Sequence, residues 1–154
     1  MGKLNDGKDF ESIVQGMLQE RVKERPSYFL RLYDTHSAGS FLPAQPCDFL
    51  LFENGRAVFM EAKSSVKHHS LKSCLSSTVK NTQVAKMRLA LRTGQTGCFL
   101  FYDMQDKQVE IWHGQGVIGC RVEGKRLNDS ILYIRVPTAS FHEAFHKYLL
   151  DNIY

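Results

Sequence analysis

Residues 46–63, PCDFLLFENGRAVFMEAK, contain the pattern that decides how this chain folds. Two apolar runs, 47–52 and 57–63, flank the dipeptide Asn54-Gly55. Both residues of this dipeptide accept positive φ, which a type I′ turn requires. The stretch therefore predicts two antiparallel strands joined by a two-residue turn.

The register of this hairpin brings charged side chains together at its open end. If Glu53 faces Arg56, then Asp48 faces Glu61, with Cβ atoms roughly 4.5–5.5 Å apart. Lys63 lies on the same side, because strand side chains alternate with a period of two. Facing carboxylates repel each other unless something offsets their charge, and Mg²⁺ prefers carboxylate and phosphate oxygens. The pattern predicts a metal site that accepts a phosphate; the alternative is an exposed hairpin end with solvated charges.

The spacing of these residues resembles a known signature. Asp48, twelve intervening residues and then Glu61-Ala62-Lys63 are similar to the PD-(D/E)xK nuclease motif, and most similar to that of RecU-type and phage Holliday junction resolvases. The resemblance covers roughly residues 10–103. It implies a restriction-endonuclease-like α/β fold, with a three-layer core and a mixed central sheet flanked by helices. It also implies an Mg²⁺-dependent endodeoxyribonuclease that acts on branched DNA in recombination or repair.

The resemblance assigns roles to individual residues near the hairpin. Asp48 and Glu61 are expected to bind one or two Mg²⁺ ions, with Mn²⁺ as a substitute and the backbone carbonyl of Ala62 as a further ligand. Lys63 is expected to orient the attacking water or to stabilise the pentavalent phosphate. A carboxylate from the first helix often joins the metal cluster in this superfamily, and Glu11 matches that position. The alternative is that Glu11 complements the dipole of its helix.

A helix is predicted from about Thr78 to Thr93, because apolar residues recur there at helical spacing and Gly94 follows. Gln83 lies on the apolar stripe, where a buried amide needs hydrogen-bond partners. Resolvase relatives place a glutamine on the helix after the motif strand, so Gln83 is expected to help position the reacting groups. The alternative is a boundary residue whose amide is satisfied elsewhere.

Positive charge is concentrated directly after the motif. Residues 62–92 contain seven lysines and arginines and no aspartate or glutamate, whereas the whole chain has a net charge of +4. Such an excess is the footprint of a polyanion partner, although a solvated basic face is the alternative. The polar segment 64–81 is expected to offer phosphate contacts and almost no core. Its adjacent histidines point apart on an extended chain, which favours phosphate contact or exposure over metal binding. The expected DNA-binding residues are Lys67, His68, His69, Lys72, Lys80, Lys86 and Arg88.

The remaining elements follow from periodicity and turn residues. A first helix is predicted from Asp6 to Pro26, and a last helix from a capping box at Ser140 to Glu143 through to the C-terminus. The predicted strands outside the hairpin are 28–34, 97–104, 108–114, 117–122 and 131–136.

Length and composition exclude several classes of protein. The 154 residues predict one domain, 1–154, with an ordinary hydrophobic content of 43%. No run approaches the ~20 apolar residues of a membrane span, and the polar start is not a signal peptide. The cysteines lie far apart without zinc spacing, so reduced thiols are expected. These features favour a cytoplasmic protein, and the resemblance to RecU-type and phage resolvases implies that a prokaryote or a phage encodes it.

Two departures from the resolvase pattern leave the substrate open. The loop at 35–45 is much shorter than the RecU insertion near this point, and 46–49 read Pro-Cys-Asp-Phe where relatives favour Ser/Thr-Val-Asp-Tyr. The leading hypothesis is a homodimer that cuts four-way junctions, since a substrate with two equivalent strands implies two-fold symmetry. A repair, restriction or nicking nuclease is the second hypothesis. A protein that binds branched DNA without cutting it is the third.

Overall fold

The structure, a computed structural model, describes residues 6–32 and 45–154. Its strands form one mixed sheet in the order β1-β2-β3-β4-β5-β6. Strands β3 and β4 are parallel, and the other neighbouring pairs are antiparallel. The bounds are β1 (Ser27–Arg31), β2 (Phe49–Glu53), β3 (Arg56–Ser65), β4 (Thr96–Asp103), β5 (Gln108–His113) and β6 (Leu132–Pro137).

Helices cover both faces of the sheet and give the three layers that were predicted. Two helices, α1 and α5, pack on one face around Phe10, Met60 and Phe145. The other helices pack on the opposite face around Met87 and Trp112. The helices are α1 (Asp6–Glu24), α2 (Leu75–Thr78), α3 (Asn81–Leu91), α4 (Gly114–Glu123) and α5 (Phe141–Asn152), with 3₁₀ turns at Leu71–Ser73 and Thr138–Ser140.

The β2–β3 hairpin has the predicted turn and register. Both turn residues have positive φ, 53° and 70°, as a type I′ turn requires. Phe49 pairs with Met60, which places Asp48 one residue before β2, next in line to face Glu61. The register prediction is confirmed, because a slip of one residue would have moved one of these acids to the other face.

The predicted strand at 117–122 is wrong, since these residues lie in α4. Val117, Ile118 and Cys120 are buried at helical spacing against the sheet. Short apolar runs rich in Val and Ile are ambiguous between strand and helix, and glycines lower helix propensity. The helix also begins in close contact with the sheet: a Cβ on Gly114 would lie 2.4 Å from the carbonyl oxygen of Gly97 on β4. The first residue of α4 therefore rests directly on the sheet.

The expectation that segment 64–81 contributes almost no core is also wrong. Leu71, Cys74, Leu75 and Val79 are buried beneath α3 and α4. Their apolar side chains are separated by serines and lysines, which masked them in the sequence. The segment is therefore packed firmly against the face of the sheet that carries Glu61.

Three further predictions concern the last helix, the cysteines and the first strand with the loop after it. Helix α5 and its buried apolar positions are confirmed, but Ser140 makes no side-chain cap hydrogen bond, so the predicted capping box is wrong. All four cysteines are buried free thiols, as expected. Residues 33–34 of the predicted first strand and 35–44 of the following loop lie outside the described residues. Within the described ranges no helix has the length and apolar character needed to cross a bilayer.

Candidate active site

The candidate site lies on the sheet face that α3 and α4 cover. Phe59 on β3 packs against the core of that face. Because side chains alternate along a strand, Glu61 and Lys63 point to the same side as Phe59. Asp48 joins them from the start of β2, where its Oδ2 accepts a 2.8 Å hydrogen bond from the backbone N–H of Ala62. The hairpin register thus collects two carboxylates and one ammonium at one place.

Glu61 is buried beside another acid. Only 3% of its surface is exposed. Burial, followed by the negative charge of Asp48, raises the pKa of Glu61 well above its usual value, and the charge of Lys63 only partly opposes this. Desolvation and a like charge both disfavour ionisation. A positive charge supplied from outside would relieve both effects.

Two donors hold one oxygen of Glu61. The Nζ of Lys63 lies 3.4 Å from Oε1, and the Nε2 of Gln83 donates to the same oxygen at 3.2 Å. The other end of the Gln83 amide accepts from the backbone N–H of Lys80 at 3.0 Å, at the start of α3. Gln83 therefore connects the N-terminus of α3 to the motif strand. The structure brings together Asp48, Glu61, Lys63 and Gln83 among the predicted site residues.

The donor set fits a hard divalent cation. Among the described residues, the N–H donors that contact the two acids lie on Oε1 of Glu61 and on Oδ2 of Asp48, which leaves their other oxygens for a ligand. Carboxylate oxygens of this kind, with a backbone carbonyl such as that of Ala62 and waters, are the ligands that Mg²⁺ prefers. The raised pKa of Glu61 is the other indication, since a cation would favour its charged form.

Glu11 has a different set of contacts. Its Oε2 accepts a 2.9 Å hydrogen bond from Nη2 of Arg31 on β1. The Arg31 guanidinium also lies 5.9 Å from the centre of the Phe49 ring. Within the described part of the chain, Glu11 does not form a three-ligand cluster with Asp48 and Glu61. A role for Glu11 in holding metal therefore stays a prediction.

The predicted DNA-binding residues differ in how they are held. Lys67, Lys80, Lys86 and Arg88 are exposed on the site's side of the sheet. Lys72 is paired with Asp129 at 3.0 Å. The half-buried His68 ring lies 3.4 Å from the hydroxyl of Ser73. The lysines and the arginine of this group are of the kind that contacts phosphate without regard to base sequence.

His69 lies in an acidic environment. Its Nδ1 is 3.2 Å from Oδ2 of Asp103 and 3.2 Å from Oδ2 of Asp106, a cluster of metal-ligand type. Oδ2 of Asp103 also accepts a 2.7 Å hydrogen bond from Arg135. Because that guanidinium already supplies a positive charge at the oxygen a cation would use, we assign the cluster a structural role.

A buried polar network that the sequence analysis missed anchors the segment after the motif strand. Oε1 of Glu110 accepts hydrogen bonds from the hydroxyl of Ser70, the N–H of Leu71 and the indole N–H of Trp112, at 2.9–3.0 Å. Oε2 of Glu110 accepts a 3.0 Å bond from Arg135. A lone carboxylate inside an apolar strand such as QVEIWH is the indication that could have revealed the network, because buried charges need partners.

Comparisons with known proteins establish the fold. No family model matches the chain, and no curated protein matches it. The structure is similar to that of Hjc from Archaeoglobus fulgidus, a Holliday junction resolvase from an archaeal hyperthermophile, with a TM-score of 0.54. The sequences are 13% identical, and the match covers 88% of this chain and 99% of the archaeal one. The chain thus has a mixed α/β, restriction-endonuclease-like fold.

Proposed function

We propose that this chain is a metal-dependent DNA endonuclease with the substrate class of a Holliday junction resolvase. One observation carries the proposal: buried Glu61 faces Asp48, with Lys63 and Gln83 both on one oxygen of Glu61. A purely structural site would surround a buried carboxylate with cations and neutral donors alone, whereas Glu61 meets a second acid as well as Lys63. The arrangement is understandable if a divalent cation and a phosphate complete it.

Asp48, Glu61 and the carbonyl of Ala62 would hold the cation, with Mg²⁺ as the physiological ion and Mn²⁺ as a substitute. When bound, such a cation offsets the charge of the scissile phosphate and favours ionisation of the attacking water. The backbone N–H of Ala62 fixes the orientation of the Asp48 carboxylate. Gln83 fixes that of Glu61, so both acids are held in place before substrate arrives.

Lys63 provides the positive charge that the reaction needs on the protein side. Its ammonium lies 3.4 Å from Glu61 and is largely shielded from solvent, at 16% side-chain exposure. In this position it stabilises the negative charge that builds up on the phosphate in the transition state. A fixed ammonium in a poorly hydrated site acts more strongly than one in water.

The similarity to a resolvase structure and the charge distribution support the substrate and the assembly that we propose. One structural neighbour is a Holliday junction resolvase, and the basic segment after the motif packs on the same face of the sheet as the acids. We therefore propose four-way or other branched DNA as the substrate and a two-fold dimer that presents one site to each of two equivalent strands. Residues 1–154 would form one nuclease domain in each subunit.

The test compares a labelled four-way junction, a matched duplex and a single strand, each with Mg²⁺ or with EDTA. We expect cleavage of the junction with Mg²⁺ and none with EDTA. Duplex cleavage as fast as junction cleavage would retain a nuclease and remove the resolvase assignment. Tight junction binding without cleavage by the wild-type protein would instead indicate a binding module.

A further inference from the structure

A second basic site lies between the predicted DNA-binding segment and a part of the chain for which no DNA contact was predicted. A cleft of about 550 Å³ opens between residues 72–76 and the C-terminal end of α4. No carboxylate is among the residues that line it. The basic side chains that line this α4 cleft are Lys72, Arg121, Lys125 and Arg126.

The walls of the α4 cleft are built on buried side chains. Leu75, Cys120 and Leu127 all belong to the core on this face of the sheet. Gly124 ends α4 with φ of 67°, and the N–H of Lys125 then donates to the carbonyl of Cys120 at 2.8 Å. This left-handed cap turns the chain back over the end of α4. The basic residues that follow are thereby held on one wall of the cleft.

The positive charge of the cleft is only weakly compensated. Lys72 pairs with Asp129 and Lys125 pairs with Glu123, both at 3.0 Å, and all four side chains are exposed. Exposed pairs of this kind contribute little and are easily exchanged for another anion. The guanidinium of Arg126 makes no ion pair in the part of the chain that the structure describes.

Arg121 connects the α4 cleft to the candidate active site. Its Nη2 donates to Oδ1 of Asn81 at 2.8 Å, and its Nε donates to the carbonyl of Val79 at 3.4 Å. Asn81 is the first residue of α3, whose Gln83 reaches Glu61. The cleft and the carboxylate pair therefore lie on the same side of the sheet, joined through the N-terminal turn of α3.

We infer that the α4 cleft binds phosphate groups of a DNA strand that runs on from the cleavage point. Guanidinium and ammonium groups recognise phosphate oxygens through charge-assisted hydrogen bonds. The exposed hydroxyls of Ser73 and Ser76 add neutral donors on the opposite wall. This inference rests on the proposed function, because the strand is positioned by the site at Asp48 and Glu61.

The test is a double variant, Lys125→Gln with Arg126→Gln, in the full chain. The matched control is Lys23→Gln with Lys147→Gln, which removes two exposed positive charges from α1 and α5 on the opposite layer. Binding to a labelled junction, a matched duplex and a mononucleotide is measured in EDTA over a range of salt concentrations. Circular dichroism and thermal unfolding check that both variants fold.

For the cleft variant we expect the salt slope of DNA binding to fall by roughly two, one for each lost contact, with about a tenfold loss of affinity. The control should bind like the wild type. Unchanged affinity and slope for both DNAs would overturn the inference, even if the wild type cleaves DNA. So would an effect confined to the mononucleotide. If the cleft variant binds DNA more weakly but the wild type never cleaves, the cleft stands and the nuclease assignment fails.

Discussion

The two ends of one hairpin carry buried glutamates in opposite electrostatic environments. Glu53, beside the turn, is held by Arg21 through two 2.6 Å hydrogen bonds and by the hydroxyl of Tyr154 at 2.5 Å. Burial alone would raise the pKa of Glu53, but these bonds and the charge of Arg21 bring it below its usual value. Glu61, at the other end, has its pKa raised by burial and by Asp48.

The difference separates a structural acid from a candidate functional one. Arg21 is itself almost fully buried, so Glu53 and Arg21 complete each other without any ligand. Glu61 is left with an acid as a neighbour, an arrangement that costs stability unless something else binds. Sites of this kind are where proteins exchange stability for function.

The largest effect should come from neutralising the open end of the hairpin. Asp48→Asn and Glu61→Gln should each reduce cleavage at least about 10³-fold, because one carboxylate cannot hold the cation and its water. Junction affinity in EDTA should be unchanged or higher, because repulsion of phosphate is reduced. Single-turnover cleavage assays with Mg²⁺ measure this, with Glu53→Gln as the matched control. Retained turnover in Asp48→Asn or Glu61→Gln would remove that residue from the site.

The next largest effect should come from breaking the Arg21–Glu53 pair beside the hairpin turn. Arg21→Met leaves Glu53 buried without its partner and should lower the free energy of unfolding by about 3–5 kcal/mol. Denaturant unfolding measures the loss, and cleavage per folded molecule should stay near the wild-type value. A loss below about 1 kcal/mol would show that the Arg21 pair does not stabilise the fold in the way its geometry indicates.

The loss of protein stability at acid pH should depend on Glu53. Because its pKa is lower in the folded state, its stabilisation is present above the unfolded pKa of about 4.3 and is lost as pH falls through the folded value. Over the range from about pH 5 downward, the wild type should lose about 1.5–3 kcal/mol more than Glu53→Gln. Thermal unfolding across this range measures the difference. If the stability of the wild type and that of Glu53→Gln fall in parallel as pH is lowered, the stabilising role of ionised Glu53 is contradicted.

The smallest effect should be a gain in stability, when Glu61 is replaced by glutamine. Because the pKa of Glu61 is higher in the folded state than in the unfolded state, ionisation of Glu61 destabilises the protein as pH rises from the unfolded-state pKa through the folded-state pKa. Without metal at neutral pH, Glu61→Gln should therefore be more stable than the wild type by about 0.5–1 kcal/mol. Added Mg²⁺ should stabilise the wild type and leave the variant unchanged. A less stable variant would mean that Lys63 and Gln83 already satisfy the charge.

Most of the hairpin and the residues around it were predictable from the sequence. The Asn54-Gly55 turn sets the register, and the register sets which acids face each other, so Asp48 and Glu61 could be placed without coordinates. The contact of Gln83 was predictable for a related reason, since an amide on an apolar helical stripe needs a partner. These conclusions depend on local geometry and on short sequence separations.

Other features were not predictable, because long-range packing decides them. Residues 117–122 have a strand-like composition but form a helix, and this helix buries Val117 and Ile118 in the core on one face of the sheet. The partner of Glu53 comes from Arg21, 32 residues earlier in the chain, and the partner of Glu110 comes from Arg135 on β6. Such pairs leave no local pattern, because the sequence does not state which distant side chains will share a desolvated space.

The sequence by itself determined the hairpin, its register and the identity of the acids at its open end, because turn chemistry and strand alternation act over a few residues. Only the tertiary structure decided that buried Glu53 is matched by the guanidinium of Arg21, whereas the charge of Lys63 only partly offsets the effects of burial and Asp48 on Glu61. It also decided that basic residues beyond the motif segment would line a cleft beside α4. The physical reason is that pKa shifts and binding surfaces depend on charges and burial contributed by elements far apart in the chain.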